Sequence, residues 1–269
     1  MKSAKIIGLL TDFGTRDYFV GAMKGAILSV CADAKIVDIT HQIEPQNISA
    51  ASFTLRACYR NFPAKTVFVA VVDPGVGSSR RAILVETTDY FFIAPDNGLL
   101  SFIFNERENS DAGAENFFRV FELTNEKYFA KKPSRTFHGR DIFAPVAAHL
   151  ASGVAPEKFG AEISDFVCFE ENRPRKISGG ESEAEVIHID RFGNLITNLT
   201  RENLPEKFSL QIGGRKIERL REFFAEAEKN EVFMIFGSAG FLEIAAYKAS
   251  AKELLKVETG AKVSVFVTN

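Results

Sequence analysis

Apolar and polar positions follow two different rhythms along this chain, one before about residue 167 and another after it. In the first part, short apolar runs alternate with stretches whose apolar positions recur every three or four residues, the periods of buried strands and of amphipathic helices. Residues 5–10 read as a buried strand closed by a turn at 11–15. A helix is predicted next, with Asp17 as its cap and Val20, Met23, Ile27 and Val30 on one face. Residues 35–39 form a second strand, and Asn47 opens a helix with the apolar stripe Ile48, Ala51, Leu55 and Cys58. Residues 67–72 are the most apolar strand, β-branched and bounded by Pro63 and by Asp73 and Pro74. Residues 81–87 and 90–94 form a hairpin or adjacent strands. A last helix near 141–151 turns Val146 and Leu150 inward. Its Pro145 belongs in or near the first turn, because deeper in the helix it would remove a hydrogen bond. Such alternation predicts an α/β, Rossmann-like domain: a mostly parallel sheet covered by helices on both faces.

After residue 167 the texture changes. Residues 170–180 are polar and include Pro174, Gly179 and Gly180, the composition of a linker. Short strand patterns follow at 184–190, 208–212, 232–236, 241–245 and 262–267, with turns at Gly213, Gly214, Gly237 and Gly240. This reads as a small antiparallel β domain. The expected organisation is an α/β domain over 1–168, a linker over 169–180 and a β domain over 181–269.

Composition narrows the classes. The chain has 269 residues, 46% apolar and 25% charged, with a formal net charge of −2 and no Lys/Arg block. Nothing there predicts nucleic acid or an anionic membrane as partner. Phe is frequent, at 26 copies with no Trp, which reads as core filling. Cys31, Cys58 and Cys168 are odd in number and lack a Cys-x-x-Cys pair, so they read as small buried hydrophobes in a reducing compartment. Beyond Lys2 and Lys5, the apolar run 6–10 stops at Thr11 and Asp12, too short for a signal-peptide core, and no run approaches the ~20 apolar residues of a membrane span. A cytoplasmic protein is expected.

In a parallel sheet, ligands collect at the carboxyl ends of the strands. Three loops at such ends carry chemistry: Asp12 and Asp17 in TDFGTRD, Asp73 with Arg80 and Arg81 in DPGVGSSRR, and His138 in TFHGRD. Neither GxGxxG nor GxxxxGK[ST] is present. An Asp after a strand is often only a turn residue, and Gly75 and Gly77 read as turn-shaping. His149 and His188 read as structural, while His41 in DITHQI either braces the end of the second strand or joins the site. No two His residues stand at metal-ligand spacing, so no metal is expected.

Six motifs in order, TDFGTRDYFVGAMKG, DITHQIEPQNI, VFVAVVDPGVGSSRR, APDNGLLSF, TFHGRDIFAPVAAHL and DRFGNLITN, resemble the SAM hydroxide adenosyltransferase family, relatives of the fluorinating and chlorinating SAM enzymes. The resemblance covers most of the chain. It implies a C-terminal β-barrel and a homotrimer with active sites between the N-terminal domain of one subunit and the C-terminal domain of the next. It also implies conversion of S-adenosyl-L-methionine (SAM) and water to adenosine and L-methionine, SAM being the substrate, with no cofactor. By the resemblance, Asp73, Arg80 and His138 form the catalytic set, and Asp12 holds the ribose hydroxyls. Asp17 and Asp190 contact the methionine amino group, Asn194 contacts adenine, Ser238 contacts the methionine end, and Phe192 beside them is expected to pack on the ligand. One stretch departs from the pattern: Tyr247 and Lys248 stand where relatives usually have Asn or small residues, and backbone groups there help hold adenine. The halogenating relatives carry other residues in place of the catalytic set and a long insertion where this chain has only the short turn 87–89. Two alternatives stay open: a SAM- or adenosine-binding protein without turnover, and a SAM-dependent halogenase.

Overall fold

The computed structural model describes residues 5–108, 118–177 and 181–268; Lys2, Gly179 and Gly180 lie outside them. The chain divides into two compact units, Met1–Glu171 and Asn172–Asn269.

The first unit runs β1 (Ile6–Thr11), α1 (Phe19–Val30), β2 (Lys35–Thr40), α2 (Ile48–Cys58), β3 (Val67–Val71), β4 (Ala82–Thr87), β5 (Phe91–Pro95), α3 (Ser101–Glu108), β6 (Phe118–Glu122) and α4 (Ala144–Ala151). The sheet has the order β2-β1-β3-β5-β4-β6. Pairs β1–β2, β1–β3 and β3–β5 are parallel, whereas β4 runs antiparallel to both β5 and β6. The parallel Rossmann-like sheet is thus extended on one side by the antiparallel strand β4, with β6 at the edge beyond it. Every residue of β3 is buried. Val67, Val69 and Val71 pack with Met23, Ile27 and Val146 of α1 and α4, while Phe68 and Ala70 pack with Leu55 of α2 and Phe102 of α3. Apolar side chains on both faces are what a doubly covered strand requires.

Local chemistry explains the helix ends. Asn47 Oδ1 accepts the Ala50 N–H at 2.9 Å, a cap worth about 1 kcal/mol. Asp17 does not play that part: α1 starts at Phe19, and Tyr18 precedes it without a side-chain cap. Val30 closes α1 and faces solvent instead of the core. A wider helical turn, Gly139–Phe143, leads into α4, and Pro145 falls in the first turn of α4. The carbonyl of Asp141, four residues earlier, cannot be served by Pro145 and accepts the Ala130 N–H at 2.8 Å.

Connections decide where a ligand fits. The chain leaves β1 through α1 towards β2, and leaves β3 towards β4 and β5 on the other side of the sheet. A crevice opens at the carboxyl ends of neighbouring strands whose connections diverge in this way. Asp12 and Asp73 follow β1 and β3, so they flank it.

The second unit runs β7 (Arg175–Lys176), β8 (Ser182–Ile189), β9 (Leu195–Thr200), β10 (Phe208–Ile212), β11 (Arg215–Ile217), β12 (Val232–Phe236), β13 (Phe241–Ala246), α5 (Ala251–Leu255) and β14 (Lys262–Val267). Its antiparallel sheet has the order β11-β10-β14-β8-β9-β13-β12, with β7 added to β8. Residues after β11 return to β12, where Met234 accepts from Arg221 N at 2.9 Å and donates to Arg219 O at 2.8 Å. That nearly closes a barrel, which Val186, Leu199, Met234, Ile244 and Val265 fill.

Candidate functional site

At the carboxyl end of β3, Asp73 and Arg80 form a two-pronged ion pair. Arg80 Nε donates to Asp73 Oδ1 at 3.1 Å, and Nη2 donates to Oδ2. The pair is nearly out of solvent, with side-chain exposures of 8% for Arg80 and 5% for Asp73. Arg80 Nη1 donates to the Arg81 carbonyl at 2.9 Å, and its guanidinium lies 5.5 Å from the centre of the Phe143 ring. The loop between them is folded by Ser78, whose Oγ donates to the Gly75 carbonyl at 2.7 Å and accepts the Arg80 N–H at 3.2 Å. Asn97, in the loop after β5, donates to the Val72 carbonyl at 2.9 Å and so fixes the end of β3.

His138 joins this pair from 58 residues away. Its Nδ1 stands 3.2 Å from Arg80 Nη2. A guanidinium can only donate, so Nδ1 must be the acceptor and the proton of the neutral ring sits on Nε2. Burial lowers the His138 pKa below its ordinary value, the Arg80 charge lowers it further, and Asp73 only partly opposes them. The approach of the two loops rests on Gly77, with φ +79: a Cβ there would overlap the Arg135 carbonyl oxygen just upstream of His138. Phe13, Phe19 and Phe137 pack beside it with ring centres 5.2 to 5.9 Å apart. Asp141 on the same turn is held by Arg140 and by the Ser134 N–H at 2.8 Å. Burial alone would raise that carboxyl, but these donors outweigh it and keep it below its ordinary value.

Asp12 is half-buried after β1, and its Oδ2 accepts the Gln46 N–H at 2.8 Å. Asp17 is exposed. The structure therefore joins Asp73, Arg80 and His138 in one cluster, while Asp17 stands in solvent at the start of the α1 region.

In the second unit the expected residues centre on the turn between β8 and β9. Asp190 Oδ1 accepts the N–H groups of Phe192 (2.8 Å) and Asn194 (2.9 Å), and Oδ2 accepts Asn194 Nδ2 at 2.8 Å. Gly193, at φ +82, lies so close to Ser250 that a Cβ would overlap its hydroxyl. Asn194 is buried and Phe192 is 77% exposed. Ser238 is exposed in the turn between β12 and β13. One residue here, Glu243, was not singled out from sequence, whereas Tyr247 and Lys248 were. Glu243 on β13 packs against Gly237, and burial, with the Asp190 charge added, raises its carboxyl above its ordinary range. Tyr247 carries Lys248 over its ring at 5.1 Å, and Lys248 itself adopts φ +54, a region that suits Asn or Gly better. Asn97, Phe143 and Glu243 escaped notice because an Asn in a turn, a core Phe and a strand Glu carry no signal of their own. Among the described residues, no group of three His, Cys, Asp or Glu side chains could hold a metal ion.

Comparisons with known proteins identify the family. Residues 7–160 match the SAM hydroxide adenosyltransferase N-terminal domain, and residues 184–264 match the C-terminal domain of the same family. An (R)-S-adenosyl-L-methionine hydrolase of Methanocaldococcus jannaschii is 37% identical over 94% of this chain and 92% of its own length. A protein of the same name from Thermus thermophilus is 35% identical over 94% and 96%. A fluorinase of Nocardia brasiliensis is 28% identical over 97% of both chains. The crystal structure of an uncharacterised conserved protein from Thermotoga maritima superposes with a TM-score of 0.86 at 36% identity, covering 96% of this chain and 99% of that one.

Proposed function

The chain belongs to the SAM hydroxide adenosyltransferase family, and we propose that its Asp73–Arg80–His138 cluster is the centre at which water attacks the ribose 5′ carbon of SAM. The protein is a SAM hydrolase that forms adenosine and L-methionine. In this reaction a C5′–O bond forms and the C5′–S bond breaks, its electron pair going to the sulfonium sulfur, while one proton leaves the attacking water. Methionine is a good leaving group once sulfur is positive, so no acid is needed to expel it. The barrier lies in holding a small nucleophile in line and taking its proton.

The buried cluster supports a division of labour. Arg80 occupies one lone pair on each Asp73 oxygen, which leaves each oxygen able to accept once more. Asp73 is the proton acceptor in this reading. Arg80, always charged, is its fixed partner. His138, with its proton on Nε2, donates to the water oxygen and aims it. Well-placed general-base help of this kind is worth roughly 10²- to 10⁴-fold. A halide has no proton to lose and would be repelled by Asp73. The fluorinase alignment also spans 299 positions against a chain of 269 residues, so at least 30 are gaps in this chain. Hydrolysis fits better than halogenation.

Asp12 is assigned to the ribose hydroxyls, Asp17, Asp190 and Ser238 to the methionine end, and Asn194 and Phe192 to adenine and its packing. The relatives are named for the (R) sulfonium epimer, and the same preference is proposed here. A homotrimer pairing the first unit of one subunit with the second unit of the next is proposed as well. It is supported by Tyr18 and Phe192, aromatics exposed at 67% and 77% in the two sets of site loops. No helix among the described residues is long and apolar enough to cross a membrane. With three free cysteines, the cytoplasm is the proposed location; of the three, only Cys31 is buried, and Cys168 is exposed.

The test is to incubate purified protein with each SAM epimer in ¹⁸O-water and follow adenosine by chromatography and mass spectrometry. Adenosine carrying ¹⁸O at the 5′ position is expected, faster from the (R) epimer. Adenosine no faster than in a buffer blank ends the enzymatic reading. Sedimentation of the same sample should give three times the chain mass.

A further inference from the structure

We propose that His41 is a positioning residue for Asp12: it locks the loop that presents this carboxylate and so sets the preference for a ribose with intact hydroxyls. The inference rests on the reading of Asp12 as the ribose-binding acid. His41 sits just past β2 and is only 4% exposed. Its Nδ1 lies 2.8 Å from the hydroxyl of Thr11, the residue before Asp12, and Thr11 is fully buried. The same hydroxyl accepts the N–H of Phe13, the residue after Asp12, at 3.2 Å. The His41 carbonyl accepts the Gly14 N–H at 2.7 Å.

The hydrogens follow from the other side of the ring. Asp38 Oδ1, in electrostatic contact with His41 Nε2 at 3.1 Å, can only accept, so the proton of the neutral ring sits on Nε2. Nδ1 is then the acceptor, and Thr11, which receives the Phe13 N–H, donates its hydroxyl hydrogen to it. Asp38 is anchored in turn by Lys24 Nζ at 2.6 Å. The backbone on both sides of Asp12 is thereby tied to one imidazole.

The far end of the loop between β2 and α2, which begins at His41, holds the carboxylate itself. Gln46 donates its N–H to Asp12 Oδ2 at 2.8 Å from a backbone at φ +66, a conformation that non-glycine residues adopt only when their surroundings impose it. Asp12 Oδ1 accepts no hydrogen bond among the described residues and is left for a ligand. Without the imidazole, the Thr11 hydroxyl would be buried without an acceptor, and the Asp12 turn would lose its register.

The experiment is calorimetry of adenosine and of 2′,3′-dideoxyadenosine on the wild-type protein and on His41→Ala, His41→Asn and Asp12→Asn. His41→Ala is expected to weaken adenosine roughly 10- to 100-fold while changing the dideoxy ligand by less than about threefold, so that the preference collapses. His41→Asn, whose amide oxygen can still accept from Thr11, should regain part of it and serves in place of His41→Ala if that variant does not fold. Equal weakening of both ligands, or an unchanged preference in both His41 variants, overturns the inference while leaving Asp12 in its role. Retention of the preference by Asp12→Asn overturns the ribose reading of Asp12, and this inference with it.

Discussion

Asp73 and Asp190 are both acids in loops that follow strands, yet they are held by opposite means. Asp73 meets a guanidinium seven residues on, and the two are shut away from water together. The Asp190 carboxylate accepts three hydrogen bonds from amides, all from the four residues that follow it. An acid held by amides in its own turn is a local device that shapes the chain whether or not chemistry follows. An acid held by a buried cation is a global one. It exists only when the sheet, its loops and the turn after His138 are all in place, and either partner alone is a liability.

Breaking the buried pair should have the largest effect. Arg80→Met is expected to lower kcat by about 10³-fold, measured as adenosine release, because both the ionised acid and the aimed imidazole lose their partner. It should also cost about 3–5 kcal/mol in urea denaturation, since Asp73 is left buried and unpaired. Adding Asp73→Leu should restore most of the stability and none of the activity. Recovery of activity in the double variant would contradict the role given to Asp73.

An intermediate effect concerns pH. His138 titrates below its ordinary value of 6.5, so the folded protein keeps it neutral where the unfolded chain would already take up a proton. The acid limb of kcat/KM should therefore lie below pH 6.5. The His138 contribution to stability should likewise fall as pH drops through 6.5 and level off below its folded pKa. Removing the Arg80 charge relieves the second of the two lowering causes and leaves burial opposed by the Asp73 and Asp141 charges. The limb of the residual activity in Arg80→Met should therefore move up. A limb that stays put would mean that Arg80 does not act on the imidazole.

The smallest effect belongs to the amide-held acid. Asp190→Ala should cost about 1–3 kcal/mol through the loss of its three hydrogen bonds and should raise KM more than it lowers kcat. A loss of kcat as large as that of Arg80→Met would erase the distinction between the two loops.

The same contrast governs what could be read in advance. The fully buried β3, the Asn47 cap and the five C-terminal strand patterns announced themselves because periodicity and capping are local properties. By contrast, α3 was not foreseen, since residues 101–108 lack a clear apolar stripe, and β9 was hidden because LITNLT is buried as far as Leu199 and shows no alternation. The start of α1 was placed at Asp17 on residue type, but the helix begins two residues later without a side-chain cap. Asp73 and Arg80 share one loop and could be suspected together. That His138 meets them follows from how α4 packs on the sheet, which no spacing encodes; resemblance to a family supplied it. The left-handed backbone of Gln46 could not be anticipated, because nothing in that side chain asks for it.

Gly77 carries one further consequence. The gauge of the cluster, from guanidinium to imidazole, is set by two strips of main chain pressed together where position 77 bears only a hydrogen. A lone methyl inserted there would act as a shim, prising apart two chemically intact groups. The enzyme would keep all of its reactive side chains and still be out of true.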